Sequence, residues 1–150
     1  MEILFDQQVD LQADTEAVWA LLTHPENRKK WQHGLKSIEH TIGSKGLRGS
    51  ITELTLAEMD SPIEETVTRS RSRERLQTEF RLGDCRYIQT YHLSRINPTT
   101  VRVHYYCKRD LDSGWKKILN IRPAAPTCVQ PAILQSLETY TDSLAHNEVA

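Results

Sequence analysis

The sequence predicts an α+β fold in which a curved antiparallel sheet is covered by a long C-terminal helix. Three observations lead there. From Leu35 to Arg109 the apolar residues recur with a period of two, in successive runs joined by short turn-forming stretches. Two short helical stretches come before that run and follow an opening strand. After it, from about Pro131, the spacing turns helical again. Consecutive strands with short connections make a meander, and an amphipathic helix needs an apolar face to cover.

The opening strand is Ile3–Leu11. Asp14 then supplies N-cap chemistry, and Glu16 suits the positive end of a helix. Ala17, Val18, Leu21 and Leu22 form one apolar face of that short helix. Pro25 fits the first turn of a second helix, running to about Lys30. Two of the three tryptophans, Trp19 and Trp31, flank this joint. Each brings a large apolar area and one N–H that needs a partner, so core packing is the expected role.

The expected strands after this joint are Leu35–Ile42, Ser50–Met59, Ile63–Arg71, Glu74–Leu82, Arg86–Arg95 and Val101–Arg109. In the last two, Leu93 opposite Val103 puts Tyr91 opposite Tyr105. Tyr87, Gln89, Tyr91, Leu93, Val101, Val103, Tyr105 and Cys107 then share the inner side, joined by Leu76, Thr78, Phe80 and Leu82. Arg102, His104 and Lys108 fall outside, with His92. Beyond Asp112 the pattern is irregular. Trp115, Ile118 and Leu119 hint at a short helix or turn, and Pro123, Pro126 and Pro131 forbid one continuous helix there. Ile133, Leu134, Leu137, Tyr140, Thr141 and Leu144 define the closing amphipathic helix.

At 150 residues, one domain over 1–150 is the expectation. The net charge of −1 gives no electrostatic case for nucleic acid or an anionic membrane. No apolar run approaches the roughly 20 residues of a membrane span. The N-terminus lacks the pattern of a secretory signal. Three cysteines, Cys85, Cys107 and Cys128, without CxxC spacing, fit reduced and mostly buried thiols in a cytoplasmic protein.

The order of elements, with Val18-Trp19, Trp31 followed by Gly34 and Glu39, Gly46 and Gly49 before a strand, Glu65-Thr66-Val67, Tyr91-His92-Leu93 and Thr100-Val101, resembles the START-like (SRPBCC) helix-grip superfamily. The resemblance covers nearly the whole chain and is nearest to its polyketide cyclase/dehydrase and lipid-transport branch. These are scaffold motifs. They imply a helix-grip fold, with the sheet wrapped around the C-terminal helix and an internal cavity between them.

The implied function is binding of a small hydrophobic or amphipathic ligand, lipid-, polyketide- or aromatic-like, in that cavity. Candidate ligand-binding residues are Tyr87, Gln89, Tyr91, Tyr105, Phe80, Val103 and Leu137. Three tyrosines and a glutamine on one face suit an apolar pocket with a few orienting hydrogen bonds. The alternative for each tyrosine is a solvent or backbone partner at the rim of the sheet. A second function is a cyclase or dehydratase working in the same cavity, with Glu65 or Tyr91 as acid or base. A third is an interaction module whose cavity is filled by its own side chains.

Glu65, Val67, Arg69 and Arg71 alternate on one strand face. If Val67 points inward, Glu65 and Arg69 can pair inside; the residue types favour a strand near the sheet edge with both charges in water. The run Arg69–Arg75 reads most simply as a solvated strand–turn–strand, with phosphate binding as the weaker reading. His24 and His33 are candidates for a cavity mouth. No HExxH, P-loop, GxGxxG or GxSxG pattern is present, so neither a metal nor a cofactor is expected.

Overall fold

The computed structural model describes residues 1–111, 114 and 132–149, with the side chains of the last helix over 133–145. Trp115, Ile118, Leu119, Pro123, Pro126, Cys128 and Pro131, and the expectations placed on them, lie outside the described residues.

The strands are β1 (Glu2–Leu11), β2 (Leu35–Ile42), β3 (Ile51–Leu56), β4 (Ile63–Arg71), β5 (Arg75–Leu82), β6 (Cys85–Asn97) and β7 (Thr100–Leu111). The described residues include the helices α1 (Thr15–Thr23), α2 (Pro25–Trp31) and α3 (Ala132–Val149). The seven strands of the described residues form one antiparallel sheet in the order β1-β7-β6-β5-β4-β3-β2. This is the expected helix-grip arrangement. The long pairing of β6 with β7 runs from Cys85 opposite Leu111 to Asn97 opposite Thr100 and includes Leu93 opposite Val103 and Tyr91 opposite Tyr105. The meander pattern did not indicate that β1 would join the sheet beside β7. With β1 at one edge and β2 at the other, the α1–α2 pair must bridge the sheet from edge to edge.

Local chemistry accounts for that bridge. Asp14 Oδ1 accepts the Ala17 N–H at 2.7 Å and caps α1. His24 ends α1, and Pro25 opens α2, where its missing N–H costs nothing. Trp31 is fully buried, and its Nε1–H donates to the Leu21 carbonyl at 2.7 Å, pinning one helix to the other. Trp19 is half-buried against the same core. On α3, Ile133, Leu134, Leu137 and Thr141 are buried, and the helix packs on β1 and α2. Each buried aliphatic side chain there contributes about 1.5–3 kcal/mol before its entropy is subtracted.

Strand β3 is shorter than its alternation predicts, because Ala57 and Glu58 turn away, with the Ala57 N–H donating to the Gly34 carbonyl at 2.9 Å. A larger departure lies in β4. The register with β5 shifts between Val67 and Arg69, a bulge that places Thr68 out of step. Before the bulge Ile63, Glu65 and Val67 point into the core; after it Arg69 and Arg71 are exposed.

The loop before β3 packs against α1 through Gly46, whose φ is +76°. A Cβ there would sit 2.9 Å from Thr23 Cγ2, whereas one at Gly49 (φ +90°) would meet nothing within 4 Å. Gly46→Ala and Gly49→Ala should both lose about 1–2 kcal/mol to left-handed strain. Gly46→Ala should lose about 1–3 kcal/mol more to overpacking. Urea unfolding of the two variants checks the order, and equal losses would count against the packing argument.

Candidate functional site

Helix α2 carries Arg28 and Trp31, and its C-cap is Gln32; the i, i+3, i+4 spacing turns all three toward the sheet. Strand β4, beneath, presents Glu65. Arg28 Nη1 donates to Glu65 Oε1 at 2.6 Å and Nη2 to Oε2 at 3.2 Å, a two-point grip on the carboxylate. The same guanidinium donates from Nε and Nη2 to Gln32 Oε1 at 3.2 and 3.1 Å. The Glu65 side chain is 4% exposed and that of Arg28 11%. The preference for an edge position with Glu65 in water is therefore corrected: the charge is buried. Its partner is Arg28, and Arg69 is turned out by the bulge.

Beside this pair the neighbouring strands supply Leu76 and Thr78 from β5 and Gln89 and Tyr91 from β6. With Leu22, Arg28, Trp31 and Glu65 they surround a gap of about 10 Å³. A second gap of about 10 Å³ lies toward β2 and β3, lined by His40, Ser50 and Thr52 and sharing Arg28 and Glu65. Each is room for a single water at most. Tyr105 Oη donates to Gln89 Oε1 at 2.9 Å, and the Tyr105 ring lies 4.9 Å from that of Tyr91.

Tyr87, Gln89, Tyr91, Tyr105, Phe80, Val103 and Leu137 are all buried, so the tyrosines are not at a solvated rim. They fall into groups. Gln89 and Tyr91 line the first gap, and Tyr105 reaches it through Gln89. Phe80 and Tyr87 stack on each other at 5.0 Å, about 13 Å along the strand from Tyr91. Val103 and Leu137 are fully enclosed core. Burial pushes the Tyr87 hydroxyl above the ordinary phenol range, against the pull of a hydrogen bond with Arg109. Arg109 continues the inner alternation of β7 beyond Cys107, is itself buried, and donates to Glu2 Oε1 from Nε at 2.9 Å. Cys107 lies opposite Gln89, and burial pushes its thiol up to about 12.

His24 and His33 do not line these gaps. His24 caps the joint from outside, 3.4 Å from Glu26, and His33 is exposed. His92 and His104 lie on the convex side, as the alternation predicts. Sequence reasoning missed Arg28, Gln32 and Arg109. Arg109 was within reach of the β7 parity, and the helical spacing in α2 was a signal for the other two. What hid their role was that the carboxylate they serve lies 37 residues away from Arg28. Among the described residues no cluster of His, Cys, Asp and Glu could hold a metal ion, and no helix is long and apolar enough to cross a membrane.

A family described as "Polyketide cyclase / dehydrase and lipid transport" matches residues 2–142. The chain belongs to this family. Among curated proteins, none matches it in sequence. Solved structures match in fold. One is norcoclaurine synthase of Thalictrum flavum, as a point mutant with a transition-state analogue: 13% identity over 100% of this chain and 99% of that one, TM-score 0.65. Another is a START superfamily protein of Mycobacterium smegmatis, at 12% identity over 95% and 99%, TM-score 0.69. A third, from Nitrosospira multiformis, is 16% identical over 95% and 98%, TM-score 0.67. Family membership supports a ligand-binding or cyclase-type role in general terms.

Two outcomes test this geometry. Arg28→Met should cost about 3–5 kcal/mol in urea unfolding, because it strands a buried carboxylate. Arg28→Met with Glu65→Leu should recover most of the loss. A single-variant cost below about 1 kcal/mol would show that the pair does not hold α2 down. In the folded protein at about pH 8, iodoacetamide should leave Cys107 unmodified, and the thiol should react once urea exposes it. Peptide mass mapping reads both states, and rapid labelling of the folded protein would contradict the burial of Cys107.

Proposed function

We propose that the protein binds a small hydrophobic or amphipathic molecule between the concave face of the sheet and α3, with the ligand's polar end at Arg28, Glu65 and Gln89. The observation that carries this reading is the set of polar side chains buried around the gap among Leu22, Trp31 and Leu76. A face built only to pack would use aliphatic residues there. Apolar burial at roughly 25 cal/mol per Å² supplies the affinity, and the hydroxyl and amide groups orient the ligand.

A drug-sized ligand needs about 300 Å³ or more, so binding requires an opening movement. Helix α2 is the element to move, since the Arg28–Glu65 contact ties it to β4 and can be exchanged for contacts with a polar ligand group. The free, buried thiols of Cys85 and Cys107 support the reducing, cytoplasmic setting expected from the sequence.

An enzymatic reading, cyclase or dehydratase, is favoured by one observation: a buried carboxylate and the Tyr91 ring share one small gap. Glu65 is then the acid or base and Tyr91 its neighbour at the reacting group. Norcoclaurine synthase has been crystallised with dopamine and hydroxybenzaldehyde, which supports aromatic substrates as one class for this scaffold.

Native mass spectrometry of gently purified protein, followed by solvent extraction, tests the proposal. The expected result is a stoichiometric adduct of a few hundred daltons that extraction removes. An unliganded mass, with no saturable binding of a medium-chain fatty acid or of anilinonaphthalene sulfonate, would overturn it in favour of an interaction module with a filled interior. Glu65→Gln separates the first two readings: a carrier has no turnover to lose and shows only weakened, still saturable binding, whereas an enzyme loses turnover of a bound aromatic or polyketide-like compound by about 100-fold or more.

A further inference from the structure

The convex side of the sheet carries a feature that a concave ligand site does not use. Strand register sets Arg71 of β4 directly opposite Arg75 of β5, and Arg75 directly opposite His92 of β6. All three point away from the core, so two guanidiniums and an imidazole form a single row across three strands. Like charges directly opposite each other destabilise a sheet unless something compensates them.

Compensation within the chain is partial. Glu74 pairs with Arg71 at 2.7 Å, and Glu16 approaches Arg73 at 3.8 Å. Arg69 and Arg75 have no acidic partner among the described residues. Arg75 Nε is buried and lacks any hydrogen-bond partner there. Beyond His92 the row ends in His104, whose Nε2 lies 2.5 Å from Asp6 Oδ1 and so is already matched. The row opens into a groove of about 510 Å³ whose charged and titratable lining is Arg69, Arg71, Arg75 and His92 together with one carboxylate, Glu74, which is taken up by Arg71.

We propose that this groove is a binding site for a phosphate-type oxyanion, carried on a small molecule or on a lipid headgroup, held by Arg69 and Arg75 with His92 as a third donor. Guanidinium groups present paired N–H donors that match phosphate oxygens, and Arg69 and Arg75 both line the groove. The free imidazole of His92 is held below its ordinary titration range, by burial first and then by Arg75 and His104. Its surroundings are Arg75 on β5, and His104 and Tyr106 on β7, with Asp6 of β1 facing His104. A bound dianion adds the negative charge that this set lacks at His92, so binding raises the imidazole's titration midpoint.

The test is NMR titration of the full chain with glycerol 3-phosphate at constant ionic strength, chloride being the matched control, with the His92 ring as reporter. Binding to vesicles of phosphatidylcholine with and without phosphatidic acid is measured in parallel. The expected result is saturable binding to the phosphate in one or both arms, a His92 midpoint that rises on binding, and affinity at least about tenfold weaker in Arg75→Gln and Arg69→Gln. Binding of glycerol 3-phosphate alone identifies a soluble phosphate, and binding of phosphatidic acid vesicles alone a headgroup. Stability without phosphate should be unchanged or higher in Arg75→Gln, since a like charge is removed; a marked loss would assign Arg75 a structural role and overturn the proposal. Absence of saturation in both arms, a response matched by chloride, or equal affinity in the variants would overturn it as well.

Discussion

The pairing of Leu93 with Val103 is the constraint on which most of this fold depends. Side chains alternate along a strand, so one register sets the faces of both partners over their whole length. Cys85, Tyr87, Gln89 and Tyr91 on β6 and Val101, Val103, Tyr105, Cys107, Arg109 and Leu111 on β7 turn inward together. The neighbours inherit the same parity, β5 through Phe80 opposite Tyr87 and β1 through Val9 opposite Val103. A slip of one residue would bring Arg102 and His104 into the core and expel Tyr105, so the hydrophobic effect holds the register firmly.

Against that regular background, two irregularities set where the charges lie. The bulge at Thr68 reverses the parity of β4, leaving Glu65 inside and Arg69 outside within one strand. The α1–α2 joint, locked by Trp31 against the Leu21 carbonyl, then delivers Arg28 onto that inward carboxylate. Burying either charge alone would cost several kcal/mol. Buried together, with Gln32 taking further donors, they tie α2 to β4 within an apolar interior. The same reversal sends Arg69 and Arg71 to the convex face, where Arg71 stands opposite Arg75 and pairs with Glu74, and Arg69 has no acidic partner among the described residues. A single extra residue in one strand thus gives the sheet a matched charge pair on one side and a partly matched basic row on the other.

Much of the architecture was legible from local pattern. The strands, both short helices, the inner set on β6 and β7 and the apolar face of α3 follow from period and punctuation, because burial of one face imposes those periods directly. The site was legible only in part. Tyr91, Gln89 and Tyr105 were found by parity. Phe80 and Tyr87 were found by the same rule but form a separate stack. Arg28 was missed, and Glu65 was placed in water, because residue type alone favours exposure for a charge and says nothing of a partner on a distant helix.

The sequence by itself determined which residues alternate, where the chain turns and which family of folds accommodates that order. These are local properties, set by backbone preference and by the need to hide apolar side chains. Tertiary structure alone decided that β1 lies beside β7, that Thr68 is bulged, that Arg28 meets Glu65 and that Arg71, Arg75 and His92 stand in line. Each of those depends on the alignment of segments far apart in the chain, where the energy of a contact exists only once both sides are in place.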